Sequence, residues 1–96
     1  MESNLQIAAR DISVQLRNLE AEYIATTRRA FSVLENCDPD LAKLSIEAMG
    51  TRGSASLWFG DRVGSLGGQT PWEALTAGEL RRVQWVLNAI IYGLPT

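Results

Sequence analysis

From Met1 through Asp38 the chain contains neither glycine nor proline, and apolar residues recur along that span in alternating steps of four and three. The series is Leu5, Ala9, Ile12, Leu16, Leu19, Tyr23, Thr26, Ala30 and Val33, with Thr26 its one polar member. This spacing is the heptad seam of a long helix, sustained for about four repeats. Ser3 and Gln6 stand at capping-box spacing, which marks where the helix starts. A helix of roughly 30 residues extends for about 45 Å at 1.5 Å per residue, more than the rest of a small domain can cover. Ile7, Val14, Ala21, Ile24 and Phe31 fall off the seam and supply a second, partial apolar face. One face is therefore available to another copy while the C-terminal part of the other docks on the domain. The alternative is a break near Thr26-Thr27 that folds the segment into a hairpin.

Beyond this segment the chain reads as short helices with explicit stops. Asp38-Pro39-Asp40 places an N-cap and a first-turn proline before the apolar set Leu41, Leu44, Ile46 and Met49. Gly50 and Gly53 flank a break, after which Thr51 or Ser54 can cap a helix carrying Leu57, Trp58, Phe59 and Val63. Gly60 and Gly64 fall within that stretch, either on one helical face admitting a close neighbour or in an irregular segment. Gly67 and Gly68 can take positive φ and reverse the backbone. Thr70, Pro71 and Glu73 then form a capping box with proline at the first helical position. Thr76 and Glu79 repeat the capping-box spacing around Gly78. A last helix from about Glu79 to Tyr92 carries Leu80, Val83, Leu87 and Ile90 on one stripe, with Gly93 ending it and Pro95 preventing resumption. No segment alternates as a strand does. The fold class is all-α: a long heptad helix over residues 1–37, an oligomerisation element through Leu5, Ile12, Leu16, Leu19 and Tyr23, then a compact bundle of three to four short helices over residues 38–96.

Composition narrows the chemistry. The chain has 96 residues, no histidine and one cysteine, Cys37. Without histidine it lacks the usual general base and nitrogen metal ligand, and neither a Ser-His-Asp nor a Cys-His arrangement is available. Glu73 and Glu79 serve helix starts and Asp38 a cap, leaving no converging acid–base pair. No catalytic residue, metal site or cofactor is expected. A net charge of −2 and a pI near 5.0 do not suit non-specific binding of nucleic acid, although Arg28-Arg29 and Arg81-Arg82 offer local basic clusters. The lone cysteine suits a reducing compartment, the cytoplasm. No apolar run approaches the roughly 20 residues of a membrane span, and no basic-then-apolar leader opens the chain.

One stretch carries a resemblance. Trp58, Leu66-Gly67-Gly68-x-Thr70-Pro71-x-Glu73-x-Leu75, Thr76-x-Gly78-Glu79, Val83, Leu87 and Gly93 occur in that order. Together they resemble the C-terminal toxin-binding domain of Xre/MbcA/ParS-type antitoxins, over roughly residues 41–94. Leu80 stands where that family usually has a glycine, and Phe59 where an aliphatic residue is more usual. The resemblance implies a tryptophan-bearing helix, a Gly-Gly-x-x-Pro turn, a short helix and a final helix ending in glycine. It also implies a partner: a cognate toxin, usually a RES-domain protein that consumes NAD, whose active-site cleft the C-terminal segment occludes. The partner-binding set expected on this chain is Trp72, Arg81, Arg82, Trp85, Tyr92, Gly93, Leu94, Pro95 and Thr96, with Gly67, Gly68, Thr70, Pro71 and Glu73 as the structural turn. Trp58 is expected in the core. Residues 1–40 lack the short helix, turn and recognition helix of a DNA-binding module, so operator binding is not expected. The rival readings are a mobile-element or phage inhibitor or adaptor that binds a non-toxin complex with the same fold, and a regulator that binds DNA through paired Arg28-Arg29.

Overall fold

A computed structural model describes residues 3–95. Among them the architecture is all-helical, without strands: α1 (Asn4–Cys37), α2 (Pro39–Met49), α3 (Arg52–Trp58), a 3₁₀ turn over Gly64–Leu66, α4 (Pro71–Thr76) and α5 (Leu80–Ile91).

The first helix is continuous, so the hairpin alternative at Thr26-Thr27 is not the fold. Both threonines serve the helix. Buried Thr27 donates its hydroxyl to the Ile24 carbonyl at 2.8 Å, and the Thr26 hydroxyl accepts from Arg29 at 3.1 Å. The helix opens on the expected capping box, Ser3 Oγ accepting from Gln6 N–H while Gln6 Oε1 accepts from Ser3 N–H. At 34 residues α1 is about 51 Å long, and it sets the longest dimension of the molecule, 57 Å against 29 and 26 Å.

Only the C-terminal third of α1 is embedded. Thr27, Phe31 and Leu34 are its buried residues, and they pack against α2 and α3. Of the second apolar face, Phe31 is buried in this contact and Ile24 is half-buried, whereas Ile7 and Val14 stay exposed. Arg52, at the start of α3, clamps the joint from outside. Its guanidinium lies 5.2 Å from the Phe31 ring centre, donates to Glu35 at 2.6 Å and reaches Ser32 Oγ at 3.0 Å.

The core is one cluster built from every helix: Phe31 and Leu34 of α1, Leu41 and Ala42 of α2, Ala55 and Trp58 of α3, then Phe59 and Leu66, Ala74 of α4, and Val83, Val86 and Leu87 of α5. Phe59 is its hub, fully buried, with ring centres of Trp58, Trp72 and Phe31 at 5.1, 5.0 and 6.1 Å. These spacings suit edge-to-face and tilted aromatic packing. The buried hydroxyls of Ser45 and Ser56 each bond a carbonyl one turn back, so neither is left unsatisfied.

The irregular alternative applies around Gly60. Helix α3 ends at Trp58, and Gly60 admits the Tyr23 side chain of α1 instead of a neighbouring backbone. Gly64 faces open space. Asp38 caps α2 through Leu41 N–H, and Thr51, not Ser54, caps α3.

Candidate functional site

The first half of the corner between α3 and α5, from Gly67 to Glu73, forms as its sequence predicts. Gly67 (φ 68°) and Gly68 (φ 83°) both take left-handed backbone. The N–H of Gly68 reaches back to Val63 C=O and that of Gly67 to Gly64 C=O, each at 3.0 Å, which is the paired bonding of a Schellman turn. Thr70 Oγ1 accepts from Glu73 N–H at 3.1 Å, and Glu73 Oε1 accepts from Thr70 N–H at 2.9 Å. Those bonds from Thr70, with Arg62 3.7 Å away adding a smaller contribution, hold the Glu73 carboxyl below the usual carboxylate range. Buried Pro71 occupies the first turn, and Trp72 N–H bonds Phe59 C=O at 3.2 Å, tying α4 to the end of α3.

The second capping box, Thr76 with Glu79, does not form. Thr76 is the last residue of α4 and spends its hydroxyl on the Trp72 carbonyl at 2.9 Å. Another Schellman turn joins the helices instead: Gly78 (φ 79°) donates to Leu75 C=O at 3.0 Å and Glu79 N–H to Ala74 C=O at 2.9 Å. Glu79 still stands at the N-cap of α5, but its carboxylate holds Arg82 at 2.9 Å.

That pairing separates the two arginines. Arg82 also donates to Ser65 C=O at 3.1 Å, so it braces α5 against the 3₁₀ turn. Arg81 points to solvent. Of the three tryptophans, Trp58 is in the core as expected, Trp72 is half-buried at its edge, and Trp85 is 57% exposed. Arg81, Trp85 and Tyr92 lie at i, i+4 and i+11 of α5. Asn88, which the sequence reading did not single out, fills the i+7 place and completes one stripe. Its side chain donates to Gln84 C=O at 3.0 Å. The stripe runs opposite the buried residues Val83, Val86 and Leu87. Leu80, expected on the buried stripe, sits at its exposed rim.

Past α5 the described chain stays hydrogen-bonded to the helix as far as Leu94. Gly93 (φ 68°) donates to Ile90 C=O at 3.2 Å and Leu94 N–H to Ala89 C=O at 2.8 Å, a third Schellman turn. Tyr92 (75% exposed) and Leu94 (55%) both stay exposed there, their backbone N–H groups bonded to Asn88 C=O and Ala89 C=O. Pro95 is exposed, and Thr96 lies outside the described residues. The candidate surface therefore consists of Arg81 and Trp85 along the outer face of α5, with Tyr92, Leu94 and Pro95 at and beyond its C-terminal end. Trp72 and Arg82 belong mainly to the fold.

A second surface lies on α1. Leu5, Ile12, Leu16, Leu19 and Tyr23 are all exposed, from 48% at Tyr23 to 78% at Leu5. Isolated exposed apolar residues are ordinary, whereas five at heptad spacing on one helix make a candidate contact surface. Helix α1 packs on α2 and α3, whereas α5 packs on α2, α4 and the 3₁₀ turn, so the two surfaces are on different parts of the molecule.

Among the described residues there is no pocket, no group of three or more His, Cys, Asp or Glu side chains that could hold a metal, and no helix long and apolar enough to cross a membrane. No protein-family model, curated protein or solved structure matches this chain.

Proposed function

We infer that the chain is an antitoxin-like inhibitor. It binds a cognate toxin, of the RES-domain class that consumes NAD, through the outer face of α5 and the folded chain end, and it self-associates through α1. The observation that carries this reading is the exposed stripe of Arg81, Trp85 and Tyr92, followed by exposed Leu94, whose N–H bonds Ala89 C=O. Tryptophan, tyrosine and arginine are the residues that dominate protein-binding energy, and a helix held by its own core presents them with little ordering cost. A blunt apolar tip can occlude a small-molecule cleft without copying the substrate. The resemblance over roughly residues 41–94 supplies the class of partner.

A regulator acting through a helix-turn-helix in the N-terminal segment is not supported, because residues 4–37 are one helix. The second reading, a mobile-element or phage inhibitor or adaptor, rests on that same observation: a rod stands where Xre-type antitoxins carry their DNA-binding domain.

Affinity purification of tagged wild-type and Trp85→Ala chains from the native host, with mass spectrometry of the co-purifying protein, tests the assignment. The antitoxin reading expects a stoichiometric NAD-consuming partner that Trp85→Ala loses. The wild-type chain, added back, should suppress that partner's NAD turnover, and a chain ending at Gly93 should not. Recovery of an unrelated complex would support the adaptor reading and remove the toxin assignment.

A further inference from the structure

We propose that the free seam of α1 is covered by a second copy of this chain running antiparallel to the first, with its midpoint at Val14. The proposal rests on the reading of α1 as the self-association element and supplies its geometry.

The chain cannot cover this seam itself. The first buried residue along α1 is Thr27, and the exposed seam runs from Leu5 to Tyr23, about 27 Å at 1.5 Å per residue. The 4-3-4-3 spacing is that of knobs packing into the holes of a facing helix, and a second copy brings the same spacing. At roughly 100 Å² removed per large side chain, the five large side chains of each seam give an interface on the order of 1,000 Å². That stands at the roughly 1,000 Å² lower bound for a specific interface.

Layer volumes choose the direction. A parallel, in-register pair would stack Ala9 on Ala9 and Tyr23 on Tyr23, leaving one layer underfilled and another overfilled. Both cost stability. It would also bring two Thr26 hydroxyls into the seam. The antiparallel pair sets Leu5 against Tyr23, Ala9 against Leu19 and Ile12 against Leu16, so every layer holds at least one large side chain. The seam then ends at Tyr23 and Thr26 stays outside it. At the flanks, Glu20 and Glu22 fall opposite Gln6 and Ala8 of the second copy, so no carboxylate faces another. Tyr23 is the natural terminus, because its ring rests on Gly60, with Cζ 3.2 Å from where a Cβ would stand. Each rod thus ends against the other copy's domain.

Sedimentation equilibrium of the unmodified chain is the first measurement, with a mass of two chains at micromolar concentration expected. Direction follows from two single-cysteine variants made in a Cys37→Ser background. In the antiparallel pair Gln15 lies one residue from the twofold midpoint, so Gln15→Cys should oxidise efficiently to a covalent dimer. The two copies of residue 5 lie at opposite ends, so Leu5→Cys should not. Leu16→Glu should halve the mass while keeping the helical circular dichroism. A monomeric wild-type chain overturns both the arrangement and the self-association reading. A dimer in which Leu5→Cys cross-links, alone or alongside Gln15→Cys, overturns the arrangement and keeps self-association. A larger assembly overturns the two-copy seam.

Discussion

The side chain of Tyr23 occupies the space in which a side chain at Gly60 would begin, its hydroxyl in contact with the position a Cβ would take and its Cζ 3.2 Å away. One helix seam and one loop glycine are therefore made for each other. The contact joins the last exposed turn of α1 to the end of α3. Gly60→Ala should displace the tyrosine ring. Because that ring is the half-exposed end of a side chain that can swing, the cost should be modest, about 1 kcal/mol. Urea unfolding of Gly60→Ala, Tyr23→Phe and the double variant should give a non-additive cycle, the second change costing less once the first is present.

Phe59 should be the most costly side chain to truncate. It is fully buried and touches Phe31, Trp58 and Trp72. Phe59→Ala should remove about 3–5 kcal/mol, a large share of the roughly 5–15 kcal/mol that a small domain has. Calorimetry should find the transition lowered by tens of degrees or absent.

Acid should weaken the fold through two carboxylates. Glu35 is held below the usual carboxylate range chiefly by its hydrogen bonds from Arg52, and Glu73 by those from Thr70. A depressed folded-state pKa means the unfolded chain binds protons first. The stabilisation is therefore complete above the ordinary carboxylate value of about 4.3 and is lost as pH falls through the lower folded value. Thermal midpoints should hold steady from pH 7 to about 5 and then drop. Glu35→Gln and Glu73→Gln should each flatten that drop, and added salt should shrink the Glu35 share, since the pair with Arg52 is solvent-exposed.

Trp85 should report on the α5 surface without supporting the fold. Trp85→Ala is expected to change stability by no more than about 0.5 kcal/mol. Acrylamide should quench one tryptophan readily, and Trp85→Phe should remove that fraction, leaving Trp58 and Trp72 shielded. Binding of the partner through this face should protect Trp85 and weaken by at least tenfold in Trp85→Ala.

Gly93→Ala should unhook the chain end. With φ at 68°, an alanine there is strained by about 1 kcal/mol. Amide exchange at Leu94, slowed in the wild type by its bond to Ala89 C=O at 2.8 Å, should approach the unprotected rate.

Local chemistry made much of the fold readable. The caps at Ser3, Asp38 and Thr70 and the glycine stops at 67, 68 and 93 each act within a few residues, and each stands where its spacing puts it, whereas the Thr76–Glu79 box does not form. That box failed because Thr76 is still helical and Gly78 offers a Schellman turn, a competing local solution to the same reversal. The irregular course after Trp58 was harder to read, since it depends on Tyr23, 37 residues earlier in the sequence, resting on Gly60. Of the α5 surface, Trp85 and Tyr92 were visible as exposed candidates. The commitment of Arg82 to Glu79 and Ser65 was not, because its carbonyl partner lies in another element.

The continuity of α1 has a kinetic consequence. Starting a helix is the unfavourable step and extending one is not. The turns around Thr27, Phe31 and Leu34, fixed by the core, act as a template from which the outer turns elongate, and the Ser3–Gln6 box seals the far end. The seam is therefore built before it meets anything. Whatever docks there finds a rigid ruler instead of a strand of chain waiting to be ordered, and association should proceed at the rate of encounter rather than of folding.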